Sequence, residues 1–206
     1  MTSQDFEARL KALEDNVRTI QDIEDIKKLT RIYGYYLEHW QWDEVAGLFS
    51  DSPDASVEIS NSGVYLGKEG ITKFFYRERV PNEFLHVMMQ ISGVVDVDPS
   101  GKTAKGRWYG FGCFAFDTDD GVRPVLGSGV YENEYVKEDG IWKFKKLQFS
   151  RIFMSAFEDG WVKTPVITLN RPSVPAKEPD LPTTFYEPYP SGRIFPYHFK
   201  NPVTGK

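Results

Sequence analysis

From Leu85 to Phe153 apolar residues favour every second position through four long β-rich runs: Leu85 to Val97, Thr103 to Phe116, Val125 to Val136 and Ile141 to Phe153. A period of two belongs to a pleated strand with one buried face. The breaks between the runs carry turn chemistry, at Asp98-Pro99-Ser100-Gly101, Asp117 to Gly121 and Glu138-Asp139-Gly140. Asp-Gly supplies the positive φ that a two-residue hairpin turn needs. Four long strands joined by short turns predict an antiparallel meander with a buried face that something else must cover.

The cover comes from the N-terminal half. Leu10, Leu13, Val17, Ile20, Ile23, Ile26 and Leu29 are spaced by threes and fours, which predicts one apolar stripe on an amphipathic helix. Asp22 and Asp25 are read as a restart, giving a leader helix over 1–20 and a main helix running on to His39. A second helix is expected over Trp42 to Phe49, and a third from Gly67 to Arg79, before Pro81. Short strands are expected at Val57 to Ser60 and Val64 to Leu66. Helices followed by a meander predict an α+β domain, a curved antiparallel sheet wrapped over N-terminal helices, spanning 21–160. Beyond it, 161–206 holds nine of the thirteen prolines together with Phe185, Tyr186, Tyr189, Phe195, Tyr197 and Phe199. That mixture predicts an extended arm that lays its rings on the domain or on a neighbouring subunit.

Composition removes several function classes. A net charge of -5 and a pI near 5.3 speak against nucleic acid or anionic membrane as a partner. No apolar run reaches membrane-spanning length, and the polar N-terminus is not a signal peptide, so a cytoplasmic protein is expected. Cys113 is the single cysteine and the three histidines are scattered, so neither a disulfide framework nor a metal site is expected. Gly110-Phe111-Gly112-Cys113-Phe114-Ala115 superficially matches a dinucleotide fingerprint, but it lies inside a strand with no helix after it. No cofactor is expected.

Two ionisable residues fall on apolar stretches. His86 opens the run Phe84 to Gln90, sharing a strand face with Met88 and Gln90, and an imidazole there suits proton transfer. Glu38 closes an aromatic helix with Tyr33 and Tyr35, the latter three residues before it on the same face. A buried carboxylate there can orient a histidine or act as a base. Each has an ordinary alternative, a core histidine tied to a carbonyl and an exposed helix-end acid. Arg151, Trp108 and Phe114 are further candidates for contact with a ring substrate.

The order of parts resembles the SnoaL-like family of the nuclear-transport-factor-2-like superfamily. The resemblance rests on Ile23 to Leu29, Tyr33 to Phe49, Gly63 to Ile71 and the hairpin Tyr135 to Phe144, and it covers about residues 8–160. It implies a cone-shaped α+β barrel with an internal pocket. Among its members the dehydratases acting on scytalone and on bile acids imply a catalytic pair at Glu38 and His86, with Tyr33 as the accompanying tyrosine. Tyr131 and Gly129 stand where those enzymes carry polar pocket groups, so a different, ring-rich substrate is implied. The expectation is a cofactor-independent lyase, dehydrating or deformylating, or an isomerase. It would act on a hydroxylated aromatic compound, such as a lignin-derived one, or on a polycyclic one. His86, Glu38 and Tyr33 would be catalytic, with Tyr35, Trp108, Phe114, Arg151, Tyr131 and Met88 binding substrate. A ligand-binding or assembly module, and the small subunit of a ring-hydroxylating dioxygenase, are the alternatives. A homodimer or homotrimer is expected, assembled through the meander with the arm reaching across subunits.

Overall fold

The computed structural model describes residues 2–78, 85–119, 121–167 and 177–206. Helix α1 (Ser3–Glu38) is followed by α2 (Trp42–Gly47), strands β1 (Ser56–Ile59) and β2 (Val64–Leu66), and α3 (Gly67–Phe75). The meander is β3 (His86–Val97), β4 (Thr103–Thr118), β5 (Gly121–Glu138) and β6 (Ile141–Ala156), with a single turn α4 (Gly160–Lys163) after it. The six strands form one sheet in the order β2-β1-β6-β5-β4-β3, antiparallel except for β1 against β6. Asp139 and Gly140 both take positive φ, 49° and 82°, so the β5–β6 hairpin closes as Asp-Gly predicts. Among the described residues no helix is long and apolar enough to cross a membrane.

The N-terminal helix departs from its sequence reading in two ways. It is continuous, opened by a capping box between Thr2 and Asp5, and Asp22 does not restart it. Asp22 is instead buried, its Oδ1 accepting from Lys137 Nζ at 2.5 Å and from the Trp142 indole at 2.9 Å. The apolar stripe also does not stay on one face. Each three-residue step falls about 60° short of a full turn, so the succession Ile20, Ile23, Ile26, Leu29 drifts roughly 180° round the helix. Ile26, Leu29, Tyr33 and Leu37 are buried on the sheet, whereas Leu10, Leu13, Val17 and Ile20 are exposed. α1 crosses β3 closely at Gly34, where a Cβ would stand 2.4 Å from Gln90 Oε1 and 3.2 Å from the Met88 carbonyl oxygen.

The described part of the arm, 177–206, lies along its own domain. Leu181 pairs with Val64 across a β-bridge, and Asp180 Oδ2 accepts from the Leu66 amide at 2.8 Å. Glu58, buried on β1, accepts from the Thr184 amide at 2.7 Å, from the Thr184 hydroxyl, and from Gln148 Nε2 at 2.9 Å. Further on, Arg107 donates to the Pro196 carbonyl at 3.0 Å and stacks on Tyr197, and His198 Nδ1 meets Glu132 at 3.2 Å. Removing the buried Glu58 carboxylate takes the acceptor from the Thr184 amide and hydroxyl and from Gln148, and so unties the arm from β1. Glu58→Ala is therefore expected to lower unfolding stability in urea by about 2–3 kcal/mol and to open the arm to limited proteolysis, with Glu58→Gln in between. An arm equally protected in Glu58→Ala would show that it is held elsewhere.

Candidate active site

The concave face of the sheet encloses a cavity of about 780 Å³ with α1, α3 and the arm. Its room comes from the inner faces of β4 and β5, where Gly110 pairs with Gly129 and Gly112 with Gly127. A Cβ at Gly110 or Gly129 would come within 2.6 Å of the Phe149 ring, so these positions let the rings lie flat on the strands. The apparent dinucleotide fingerprint is thus a packing device. Tyr33, Tyr131, Phe149, Phe114 and Phe116 supply aromatic walls, the last two stacked at 5.1 Å. The arm completes the wall with Lys177, Pro179 and Thr183. Pro179 can sit on Gly63 because no Cβ stands there, and Lys177 Nζ is tied to the Phe74 carbonyl at 3.1 Å and to that of Tyr76.

His86 lines this cavity from the first position of β3, its ring edge-on to Phe114 at 5.2 Å and to Trp40 at 6.3 Å. Its Nδ1 lies 3.0 Å from Arg77 Nη2. The guanidinium sits over Trp40 at 4.9 Å and Trp42 at 5.1 Å, and the Trp42 indole donates to the Arg77 carbonyl at 2.8 Å. A guanidinium has no acceptor, so Nδ1 accepts and this geometry assigns the imidazole proton to Nε2. Tyr33 and Tyr131 are hydrogen-bonded to each other, and Gln90 bonds Tyr131. Burial pushes the Tyr131 phenol up to about 12, partly offset by those hydrogen bonds. Burial, and then Tyr131, push the Tyr33 phenol well above the usual tyrosine range. Both therefore stay protonated donors at any working pH. Burial and the nearby Arg77 charge lower the Lys177 ammonium from its ordinary value.

Of the residues singled out from sequence, His86, Tyr33, Met88, Phe114, Tyr131 and Arg151 all line the cavity. Glu38, Tyr35 and Trp108 do not. On α1 the core-facing positions are Tyr33 and Leu37, and Glu38 lies about 100° round from Leu37. Tyr35 is 67 % exposed and Glu38 half-buried, and neither side chain lines the cavity. The Nδ1 partner found is Arg77 rather than Glu38. Trp108 is 3 % exposed in the core, its indole donating to Tyr135 at 3.0 Å and its ring filling the space left by Gly93. Sequence reasoning missed Arg77, Trp42 and Lys177. Arg77 comes after the end of α3 and Lys177 belongs to the proline-rich arm, so no periodicity marks either of them. Among the described residues no Asp or Glu lines the cavity, and no group of three or more His, Cys, Asp or Glu is gathered as a metal site.

A curved, open six-stranded sheet folded over one long helix, with a ring-lined cavity on its concave side, is an α+β fold of the nuclear-transport-factor-2-like kind, whose domains typically bind small molecules. The family model described as the SnoaL-like domain matches residues 18–148, and the chain belongs to that family. Among solved structures it is similar to a protein provisionally named scytalone dehydratase from Novosphingobium aromaticivorans DSM 12444. Identity is 18 % and TM-score 0.59, covering 75 % of this chain and 95 % of that one. It is also similar to hexachlorocyclohexane dehydrochlorinase LinA-type3 from Novosphingobium barchaimii LL02, at 21 % identity and TM-score 0.55, covering 69 % and 92 %. A protein provisionally named aromatic ring hydroxylase from N. aromaticivorans matches at 25 % identity and TM-score 0.54, covering 68 % and 96 %.

The tautomer of His86 is directly measurable. In Arg77→Met the imidazole ¹⁵N signals are expected to move from the Nε2–H pattern toward a mixture with Nδ1–H, while Arg77→Lys keeps more of the original pattern. Identical spectra for wild type and Arg77→Met would show that Arg77 does not set the ring.

Proposed function

We propose that this protein is a lyase of hydroxylated aromatic small molecules, working through its own polar groups at the oxygen atoms of the substrate. What supports this reading is that one aromatic-walled cavity brings together a neutral imidazole, two protonated phenols and a guanidinium, at His86, Tyr33, Tyr131 and Arg151. Such a set suits a reaction in which negative charge gathers on oxygen: Tyr33 donates its hydrogen bond to Tyr131, which leaves the Tyr131 hydroxyl, the imidazole and the guanidinium as donors held in place before the charge appears.

In dehydration a proton passes from a substrate carbon to solvent, charge collects on the conjugated oxygen as an enolate, and the C–O bond breaks as the departing hydroxide takes up a proton and leaves as water. In deformylation a hydroxyl proton passes to solvent, the adjoining C–C bond breaks to release formaldehyde, and the bonding pair collects on the conjugated oxygen until the product is protonated. His86 with its proton on Nε2 meets the developing charge as a neutral electrophile, a role imidazoles play elsewhere. For His86 to take the proton itself Nε2 has to be bare, so the proton must sit on Nδ1 and the Arg77 contact must open. Glu38 has no part in this scheme, which replaces an imidazole–carboxylate pair by an imidazole held from a guanidinium. The dehydratase and dehydrochlorinase named among the structural neighbours carry names of elimination chemistry, which is consistent with this reading.

The test is a screen of hydroxylated aryl and polycyclic alcohols, monitored by mass for loss of water or formaldehyde. On a substrate so found, His86→Gln is expected to lower kcat by about 10²–10⁴-fold with circular dichroism unchanged, whereas Glu38→Gln stays close to wild type. Undiminished turnover in His86→Gln would remove the mechanism. A ligand bound without turnover by every member of the screen would favour a binding module.

A further inference from the structure

We propose that the molecule taken into this cavity is an aromatic acid, its carboxylate held by Arg151. The inference rests on the cavity being the reactive site and names the charge of what enters it. The β5–β6 ladder is irregular at this point, pairing Gly129 with Arg151 but Ser128 with Phe153, so one strand carries an extra residue. Such a bulge re-aims side chains, and Arg151 lines the cavity opposite a glycine, between Phe149 and Phe153. Among the described residues no carboxylate pairs with Arg151 (compare Arg107, which is met by Glu132). A half-buried guanidinium set among rings has less water around it than one on the surface, so an anion entering the cavity gains more from pairing with it. The surroundings agree. Arg77, Arg151 and Lys177 all line the cavity and no described acid does, in a chain whose net charge is -5. Local positive potential inside a negative molecule selects anions at the site.

A matched pair of ligands tests this without turnover. A hydroxycinnamate-type acid and its methyl ester are titrated against the full chain, read by the fluorescence of Trp42 in the cavity wall. The acid is expected to bind about tenfold or more tightly than the ester, a preference largely lost in Arg151→Met, partly kept in Arg151→Lys, and kept in His86→Gln. Equal affinity for acid and ester, or a preference untouched by Arg151→Met, overturns the proposal. If that happens while turnover of a neutral alcohol still depends on His86, the lyase reading stands and only the charge assignment falls.

The N-terminal part of α1 carries a second, independent inference, an interface with another copy of this chain. Phe6, Leu10, Leu13, Val17 and Ile20 are 46–65 % exposed, and their spacing of four, three, four, three is that of a coiled-coil seam. By helical phase this stripe lies roughly 180° from the core-facing row of Ile26, Leu29 and Tyr33; Leu13 and Val17 border a shallow groove with Lys137 and Gly140 and still stay 62 % and 65 % exposed. The seam stops where its next two positions become Glu24 and Lys27. Flanking charges choose the orientation. Glu7 and Glu14 fall at one flank and Arg9 at the other, so in a parallel pair Arg9 of each helix meets Glu14 of the other. An antiparallel pair would set the acidic flanks against each other.

We infer a parallel two-stranded coil over residues 6–20. Leu13→Cys in a Cys113→Ser background is expected to cross-link to itself on mild oxidation, as a parallel register requires. Leu13→Glu/Val17→Glu should abolish the coil-dependent part of the solution mass in sedimentation equilibrium. Arg9→Glu should weaken association about tenfold, with Arg9→Glu/Glu14→Arg restoring it. A monomeric wild type, absence of the cross-link, or no rescue by the double charge reversal overturns the inference.

Discussion

The cavity exists because two pairs of glycines face one another across β4 and β5, at Gly110–Gly129 and Gly112–Gly127. A close-packed interior leaves no spare room, and alternation along two long strands would ordinarily fill this face with branched side chains. Here the backbone itself is the floor. Phe149 and Tyr131 lie against the space where Cβ atoms would have stood, and what those rings leave open is the volume enclosed by α1 and α3. The same glycines set a cost. They weaken the strands at their centre, which the long ladders on either side and the cross-strand ring contacts have to offset.

The polar groups set into that volume are selected by what surrounds them. Rings on several sides desolvate Tyr33 and Tyr131 and keep them protonated. The tryptophan pair Trp40 and Trp42 holds Arg77 by its flat faces and fixes a guanidinium beside His86. A carboxylate in that place would favour the doubly protonated ring, whereas a guanidinium favours the neutral one with its proton on the far nitrogen. Among the described residues the cavity is lined by cations and hydrogen-bonding groups but by no Asp or Glu, and both the lyase reading and the preference for an acid derive from this one asymmetry.

The meander was legible because its period was unbroken over runs of a dozen residues or more, and the Asp139-Gly140 turn was legible because its backbone demands those residues. The aromatics of the described part of the arm, 177–206, have partners, as in the stack of Arg107 on Tyr197 and the contact of Phe185 with Phe195. What failed was phase. Counting threes and fours along α1 gives one stripe, but successive threes rotate it, so the residues that look alike in sequence point to opposite sides of the helix. Glu38 shows the same rotation, being adjacent in sequence to Leu37 but about 100° round the helix from it. Trp108 packs into the core because Gly93, on a neighbouring strand, leaves its ring a space that no local pattern reveals. His86, Met88, Phe114 and Tyr131 all line the cavity, since positions on a strand alternate without such drift.

The family match ends at residue 148, but the cavity does not. His86, Arg77, Tyr33 and Tyr131 lie within the matched region, whereas Arg151, Lys177, Pro179 and Thr183 lie beyond it. The part of the wall that carries two of the three cations is thus supplied by the last strand and the arm, held down through Glu58, Asp180 and Lys177. The fold and the proposed reactive groups belong to the portion of the chain shared with its relatives. The groups that would recognise a charged substrate belong largely to the C-terminal portion beyond that match. A substrate inferred from the neighbours' names would therefore omit the side chains best placed to choose it.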